Sequence, residues 1–448
     1  MQRRNADNSR LTLGLLAVYA VWAVMLFDLN FFVAVYGVPA IGRVVNLAFV
    51  PLLALVVFHG ITTPTRAWMW YPQLLLLLVA GLATIPILTN WFLGWVGIQI
   101  LLSHYAIGVA TVFFVRNARD ALPIFALLAL RFAWFGGWAR ASGRVPWDPF
   151  TSNTNDFGAL MVQGAALCFW FGMAARVRWQ RLTLWAIAAY CVVGVVTSLA
   201  RGAFLALVVI AGVAWLRSPR KALTGGSIVL GAAVVFFAAG LVENTDEQRV
   251  HHRSGSFWEQ VMSTFEEGTE EGTGGARWDL WTAAAKVWVT HPVVGVGPNN
   301  FGVFAAEYFR PGEIRGFDNT GRFWGMNAHS AYMQVLAEFG IVGFIALMLL
   351  FVDFIRRNRD LRGREAIERW NASTGARFFD LRALSIGLES GFIALALVNA
   401  IYASFLQPWF IAVWATNRML WGITMRDRSA IPVRMSPRLA RSNARVGA

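Results

Sequence analysis

Charged residues are scarce in this sequence: Asp, Glu, Lys and Arg together supply 14% of its 448 positions, too few to cover a soluble domain of that length. Cysteine is scarcer still. Cys168 and Cys191 are the only two, and both fall inside apolar runs, so no disulfide framework is implied. Familiar catalytic signatures are missing as well, with no GxxxxGK[ST], HExxH, GxSxG or DxD anywhere in the chain. Those gaps remove the usual parts for ATP hydrolysis, zinc proteolysis, serine-hydrolase chemistry and metal-dependent transfer from sugar nucleotides. The GxG at Gly295 and Gly297 neither follows a strand nor opens a helix, and it reads as a turn.

What the chain has in quantity is apolar surface: 57% of it is hydrophobic and the mean hydropathy is +0.52. Runs of about 20 apolar residues, the length that crosses a bilayer, occur near 11–28, 39–58, 67–88, 91–115, 121–138, 157–175, 182–200, 202–216, 222–242, 331–355, 384–406 and 408–425. They predict an all-α, polytopic membrane protein of about twelve transmembrane helices. The first run lacks a convincing small-residue cleavage site and reads as a retained span rather than a signal peptide.

A formal net charge of +14 would point to nucleic acid in a soluble protein, so the position of the arginines decides the matter. They cluster at Arg3, Arg4 and Arg10, at Arg116 and Arg119, at Arg176, Arg178 and Arg181, at Arg217, Arg220 and Lys221, from Arg356 to Arg382, and along the tail from Arg426 to Arg445. With twelve spans, all of these lie on the side of both termini, which the positive-inside rule assigns to the cytoplasm. The charge therefore encodes topology, and no nucleic-acid partner is expected. The implied division is an N-terminal membrane part (1–242), an external loop (243–330), C-terminal spans (331–425) and a basic cytoplasmic tail (426–448).

The cytoplasmic stretch 356–383 reads as a solvated helix at the membrane surface. The external stretch 243–330 is longer and mixes acidic, aromatic, glycine, asparagine, arginine and histidine residues, so function is expected to concentrate there. Its EEGTEEGTGG segment (266–275) lacks the ligand order of a calcium loop and reads as flexible and solvated. Arg277-Trp278-Asp279-Leu280-Trp281, with Ala285 and Val289, suits an amphipathic helix on the membrane face that ends at His291-Pro292. Turns are then expected through HPVVGVGPNNF (291–301).

Three cationic residues stand out at the external surface: Arg201 between spans seven and eight, Arg277 at the start of the amphipathic helix, and His329 just before span ten. A guanidinium stays protonated and binds phosphate oxygens bidentately, so two can neutralise a pyrophosphate leaving group in place of a divalent cation. A histidine titrating near neutrality can take the proton of an attacking hydroxyl. Each residue also has a plainer reading, as a snorkelling arginine, a solvated helix-terminal arginine and a satisfied interfacial histidine.

SLARGAFLAL (198–207), ARWDLWTAAAKVWVTHPVVGVGPNNF (276–301) and NAHSAYMQVLAEFGIVGF (327–344) resemble the core of the O-antigen ligase and polymerase family, in the same order. TSNTNDFGALMV (151–162) is similar to the Asn-Asp pair that opens an earlier span there. The resemblance implies a twelve-span, GT-C-like membrane glycosyltransferase of the bacterial inner membrane, with a large periplasmic loop capping a lipid-facing cavity. It implies inverting transfer of a glycan from undecaprenyl pyrophosphate to an acceptor hydroxyl on lipid A-core or on a growing polysaccharide, with neither metal nor cofactor. Arg201 and Arg277 would hold the pyrophosphate and His329 would be the base or the group that orients the acceptor. Here Asn327 precedes His329 with Ala328 between them, a departure from the family's usual order that bears on the role of His329. Secondary candidates for binding pyrophosphate or glycan are Arg131, Asn155, Asp156, Arg315 and Arg322. Ligase, polymerase and a non-catalytic flippase or transporter of lipid-linked glycan remain open on the sequence. The absence of paired inverted repeats weighs against the last.

Overall fold

The computed structural model describes residues 12–27, 72–88, 90–142, 154–198, 200–218, 221–241, 272–308, 327–402 and 408–425. Among these residues there is no β-strand, only an isolated bridge between Ala175 and Phe379. In chain order the helices are α1 (Leu13–Phe27), α2 (Pro72–Ala83), α3 (Trp91–Phe114), α4 (Ala118–Ser142), α5 (Thr154–Ala174), α6 (Arg178–Thr197) and α7 (Arg201–Arg217). They continue as α8 (Lys221–Leu241), α9 (Gly272–Thr290), α10 (Phe301–Tyr308), α11 (Ala331–Asp360), α12 (Arg364–Asn371), α13 (Leu381–Ile401) and α14 (Pro408–Met425). Helices occupy every expected span except 39–58, which lies outside the described residues. By length and composition, α3, α5, α6, α11 and α13 can cross a membrane. The surface is apolar where a soluble protein's would be charged: Phe92, Leu205, Val229, Phe237 and Ile355 are all exposed. Such a surface is at ease against lipid tails.

Side chains that satisfy orphan backbone groups set several helix starts. Asn90 accepts from the Leu93 amide at 3.0 Å to open α3, and Asp380 accepts from that of Ala383 at 2.9 Å to open α13. At the end of α6, Ser198 Oγ donates to the Val195 carbonyl at 2.7 Å. The same oxygen accepts from the Ala200 amide at 3.1 Å, which fixes the break before Arg201 opens α7.

α5 lies at the centre, packed against α6, α13, α7 and α4. Small residues let these helices approach closely, as in other membrane bundles: Gly164 of α5 faces Phe132 of α4 and Cys191 of α6, while Leu167 fills the space beside Gly391 of α13. Both cysteines are buried free thiols.

The arginine-rich end differs from the sequence expectation. α11 runs on to Asp360, so the expected surface helix at 356–383 is reduced to α12, an eight-residue element. It is also docked rather than simply solvated. Ala366 and Trp370 are buried, and the Trp370 indole donates to the Phe379 carbonyl at 2.9 Å. Only its outer side, bearing the Arg364–Glu368 pair, faces water. Nearby, Arg418 of α14 meets Asp353 of α11 at 2.9 Å, and the Arg357 guanidinium lies over the Trp421 ring.

Candidate functional site

α11 is broken at Gly340, where φ is 61° and ψ is −161°. An unbroken helix would bond the amide of Ile341 to the carbonyl of Ala337, and that of Val342 to Glu338. Here the loop after α9 takes both places. The amides of Val296 and Gly297 donate to the carbonyls of Ala337 and Glu338 at 3.1 and 2.9 Å, while those of Ile341 and Val342 donate to Pro292 and Val293 at 2.8 and 3.2 Å. Backbone meets backbone so closely that glycine is required on both sides. A Cβ on Gly295 would lie 2.3 Å from the Glu338 carbonyl carbon, and one on Gly340 would lie 2.3 Å from the Val293 carbonyl.

Past this contact the loop wedges into the bundle. Pro298 lies against Gly97 of α3, and Asn300 Oδ1 accepts from the Asn90 amide at 2.9 Å. Glu338, fully buried on α11, accepts from the Phe301 amide at 3.3 Å and from the Gln334 side chain. Gln334 in turn accepts from the Ala328 amide at 2.6 Å. A Gln-Glu relay thus ties the 297–301 loop to the segment bearing His329. Glu338→Ala strands these donors away from water and is expected to cost about 1–3 kcal/mol. Glu338→Gln keeps an accepting oxygen and is expected to cost less, an order that thermal unfolding of the two variants checks.

α9 completes the support. Leu280, Ala283, Ala284 and Val287 form its buried face and pack with Phe301, Phe304 and Ala337 in a small core of their own. The stripe expected on the membrane face runs along the opposite side, with Trp278 and Val289 exposed. Residues 272–275 of the stretch expected to be flexible form the first turn of α9; 266–271 lie outside the described residues.

Elements far apart in sequence converge where α5, α7 and α11 begin and α13 ends. His329 adopts φ 48°, a left-handed conformation that His tolerates better than most residues. Asn327 Oδ1 holds it there by accepting from the His329 amide at 2.9 Å. Ser330 then caps α11. The His329 ring lies 5.8 Å from that of Tyr402 at the end of α13, and the Tyr402 hydroxyl donates to Asp156 Oδ2 at 2.8 Å. Two residues beyond Asp156, Gly158 packs on Ser198, Ala200 and Ala203, the residues that bracket Arg201. Gly202 abuts Ile401. Arg277 is close enough for its charge to act on His329. Burial, aided by that charge, pushes the His329 pKa down to about 4, so the imidazole is neutral at physiological pH.

The trio read from the sequence is therefore gathered at one end of the bundle, together with Asp156 and its neighbour Asn155. Arg131, another of the candidates, lies on α4. That residue is buried with its guanidinium 4.5 Å from the centre of the Phe135 ring. Its neighbour Phe132 meets α5 at Gly164, two helical turns, about 12 Å, deeper than Asp156. Arg315 and Arg322 lie outside the described residues. The sequence does not single out Tyr402, Gln334 or Glu338; the one signal for them is the placing of Gln334 and Glu338 within the segment 327–344.

The apolar-surfaced helical bundle, with arginine, histidine, tyrosine and aspartate gathered at one end, defines a multi-pass membrane protein with a polar site at one face. Residues 186–348 match the family model described as O-antigen ligase, and this segment belongs to the O-antigen ligase and polymerase family. It contains Arg201, Arg277, His329, the docked loop and the Gly340 kink. α5 and Tyr402 lie outside it. The family works on lipid-linked glycans in the membrane. No curated protein matches the chain significantly.

Proposed function

We propose that this chain is an inverting, metal-independent glycosyltransferase of the O-antigen ligase type, acting where Arg201, Arg277 and His329 meet. The reading is carried by the juxtaposition of Arg277 with a neutral His329 inside the matched segment. In this account a glycan on undecaprenyl pyrophosphate binds from the membrane, on the periplasmic side of a twelve-span bundle with both termini cytoplasmic. Arg201 and Arg277 hold the pyrophosphate oxygens. Arg201 is a cation at the N-terminus of α7, against the helix macrodipole, an arrangement that suits a bound anion between them. An acceptor hydroxyl, that of lipid A-core in our preferred reading, attacks the anomeric carbon. The new glycosidic bond forms as the bond to pyrophosphate breaks, the arginines stabilise the charge gathering on the leaving group, and His329 takes the hydroxyl proton.

The pH dependence follows from His329, which must be neutral to accept. Because its pKa lies near 4 in the free protein, the acid limb of kcat/KM is expected near pH 4 rather than 6.5. Bound pyrophosphate offsets the Arg277 charge and raises that pKa, so the acid limb of kcat is expected higher than that of kcat/KM. Rate profiles between pH 3.5 and 8 check both. A limb of kcat/KM at the ordinary histidine value would remove His329 from this role.

The function itself is tested with purified, reconstituted protein given a polyprenyl-pyrophosphate glycan, with and without lipid A-core, and with products resolved by length. Product that needs lipid A-core supports the ligase. A ladder from donor alone assigns the polymerase, and no covalent product from folded protein favours a transporter.

A further inference from the structure

Three arginines that the candidate site does not use gather at the other face of the bundle. α7 begins with Arg201 at the site and ends with Arg217, while α11 begins beside His329 and ends at Asp360, about 25 and 45 Å away along their axes. Between these far ends and α13 opens a cavity of about 440 Å³, lined by Arg217, Arg359 and Arg362 with a single carboxylate, Glu389. Glu389 joins Arg217 at 2.9 Å and also pairs with Arg362. Arg362 is further fixed by donating to Ser385 Oγ at 3.0 Å. Arg359 is exposed and makes no ion pair among the described residues. Three guanidiniums against one carboxylate leave the cavity positive.

Its remaining wall is Phe354, Ile355, Phe392 and Ile393, with Asn358 the one polar residue among them, its amide turned to the Ser385 carbonyl at 3.0 Å. Ile355 also ends a stripe of exposed residues on α11, Ile345, Leu349 and Val352, spaced to run down one face of the helix. A positive cavity continuous with a lipid-facing stripe matches one kind of molecule, which carries a phosphate at one end and acyl chains at the other. We propose that this cavity binds an anionic phospholipid, with its phosphate on Arg217, Arg359 and Arg362 and its acyl chains along the α11 stripe. Under the proposed topology the lipid comes from the cytoplasmic leaflet. The inference rests on the membrane embedding of the bundle and not on glycan transfer.

The test uses full-length, delipidated protein in neutral detergent, titrated with phosphatidylglycerol, phosphatidylcholine or inorganic phosphate, and read by native mass spectrometry and thermal unfolding. Phosphatidylglycerol is expected to be retained and to raise the unfolding temperature, while the other two do neither. Arg359→Gln breaks no ion pair among the described residues, should unfold like the wild type without lipid, and is expected to weaken phosphatidylglycerol binding about fivefold. Arg364→Gln, outside the cavity, is expected to leave it unchanged. Equal binding of phosphatidylcholine, a shift with phosphate alone, unchanged binding by Arg359→Gln, or equal losses in both variants would each overturn the proposal.

Discussion

Gly340→Ala is expected to lower the stability of the protein by on the order of 3–5 kcal/mol and to dislodge the loop before α10. Two separate costs add. The backbone at φ 61° and ψ −161° lies in a region open in practice only to glycine, which costs an alanine about 1–3 kcal/mol. The new methyl would also sit 2.3 Å from the Val293 carbonyl, backbone that is itself bonded to α11 and cannot step aside. Moving it breaks the bonds from Ile341 and Val342, leaving those two amides without their partners. Gly295→Ala meets the same obstacle from the loop side, against Glu338. Gly231 of α8 faces open space, so Gly231→Ala should be neutral or slightly stabilising. Apparent unfolding temperatures compare the three, with a drop of roughly 10 °C expected for the first two. A drop of only a degree or two in Gly340→Ala would mean that the loop is not locked to the kink.

Arg277→Ala is expected to reduce glycan transfer by about 100- to 1,000-fold while leaving the fold intact, the usual loss when a donor to a developing anion is removed. Arg277 lies near the start of α9, and the buried face that anchors this helix begins at Leu280, so truncating the arginine leaves that packing in place. Arg277→Lys keeps the charge but not the planar fork, and should recover only part of the rate. A second consequence separates catalysis from mere packing. The Arg277 charge helps to depress the His329 pKa, so in Arg277→Ala the acid limb of kcat/KM should move upward. The shift should fall short of 6.5, because burial is the larger cause. Wild-type transfer rates in Arg277→Ala would rule out the proposed role of this residue.

The bundle was legible in the sequence because a lipid-facing helix must be apolar along its whole length, and each such run announces itself. Sparse polar residues stood out against that background, which is why Arg201, Arg277 and His329 could be singled out from the letters alone. The bonds that bring them together were not legible. Tyr402 and Asp156 are 246 residues apart, and nothing in either local pattern marks the pairing. Glu338 stands in an apolar run with no nearby cation, and the groups that donate to it and to Gln334, the amides of Phe301 and Ala328, are backbone and carry no side-chain signature. The glycines of 295–297 and 338–343 were visible as turn and helix patterns, but their meeting depends on a positive φ at Gly340 that the letters do not encode. Nor was the level of Arg131 legible, since the sequence does not show that α4 packs on α5 with Phe132 at Gly164.

The central claim is that guanidinium groups and a neutral imidazole do the work of a metal at this face. Its most direct test is product formation from a polyprenyl-pyrophosphate glycan by the reconstituted wild-type protein with excess chelator, beside Arg201→Ala, Arg277→Ala and His329→Ala. Undiminished product in the wild type, with losses of 100-fold or more in each variant, is the predicted result. Product abolished by chelator and restored by a divalent cation, or formed equally by the variants, would contradict it.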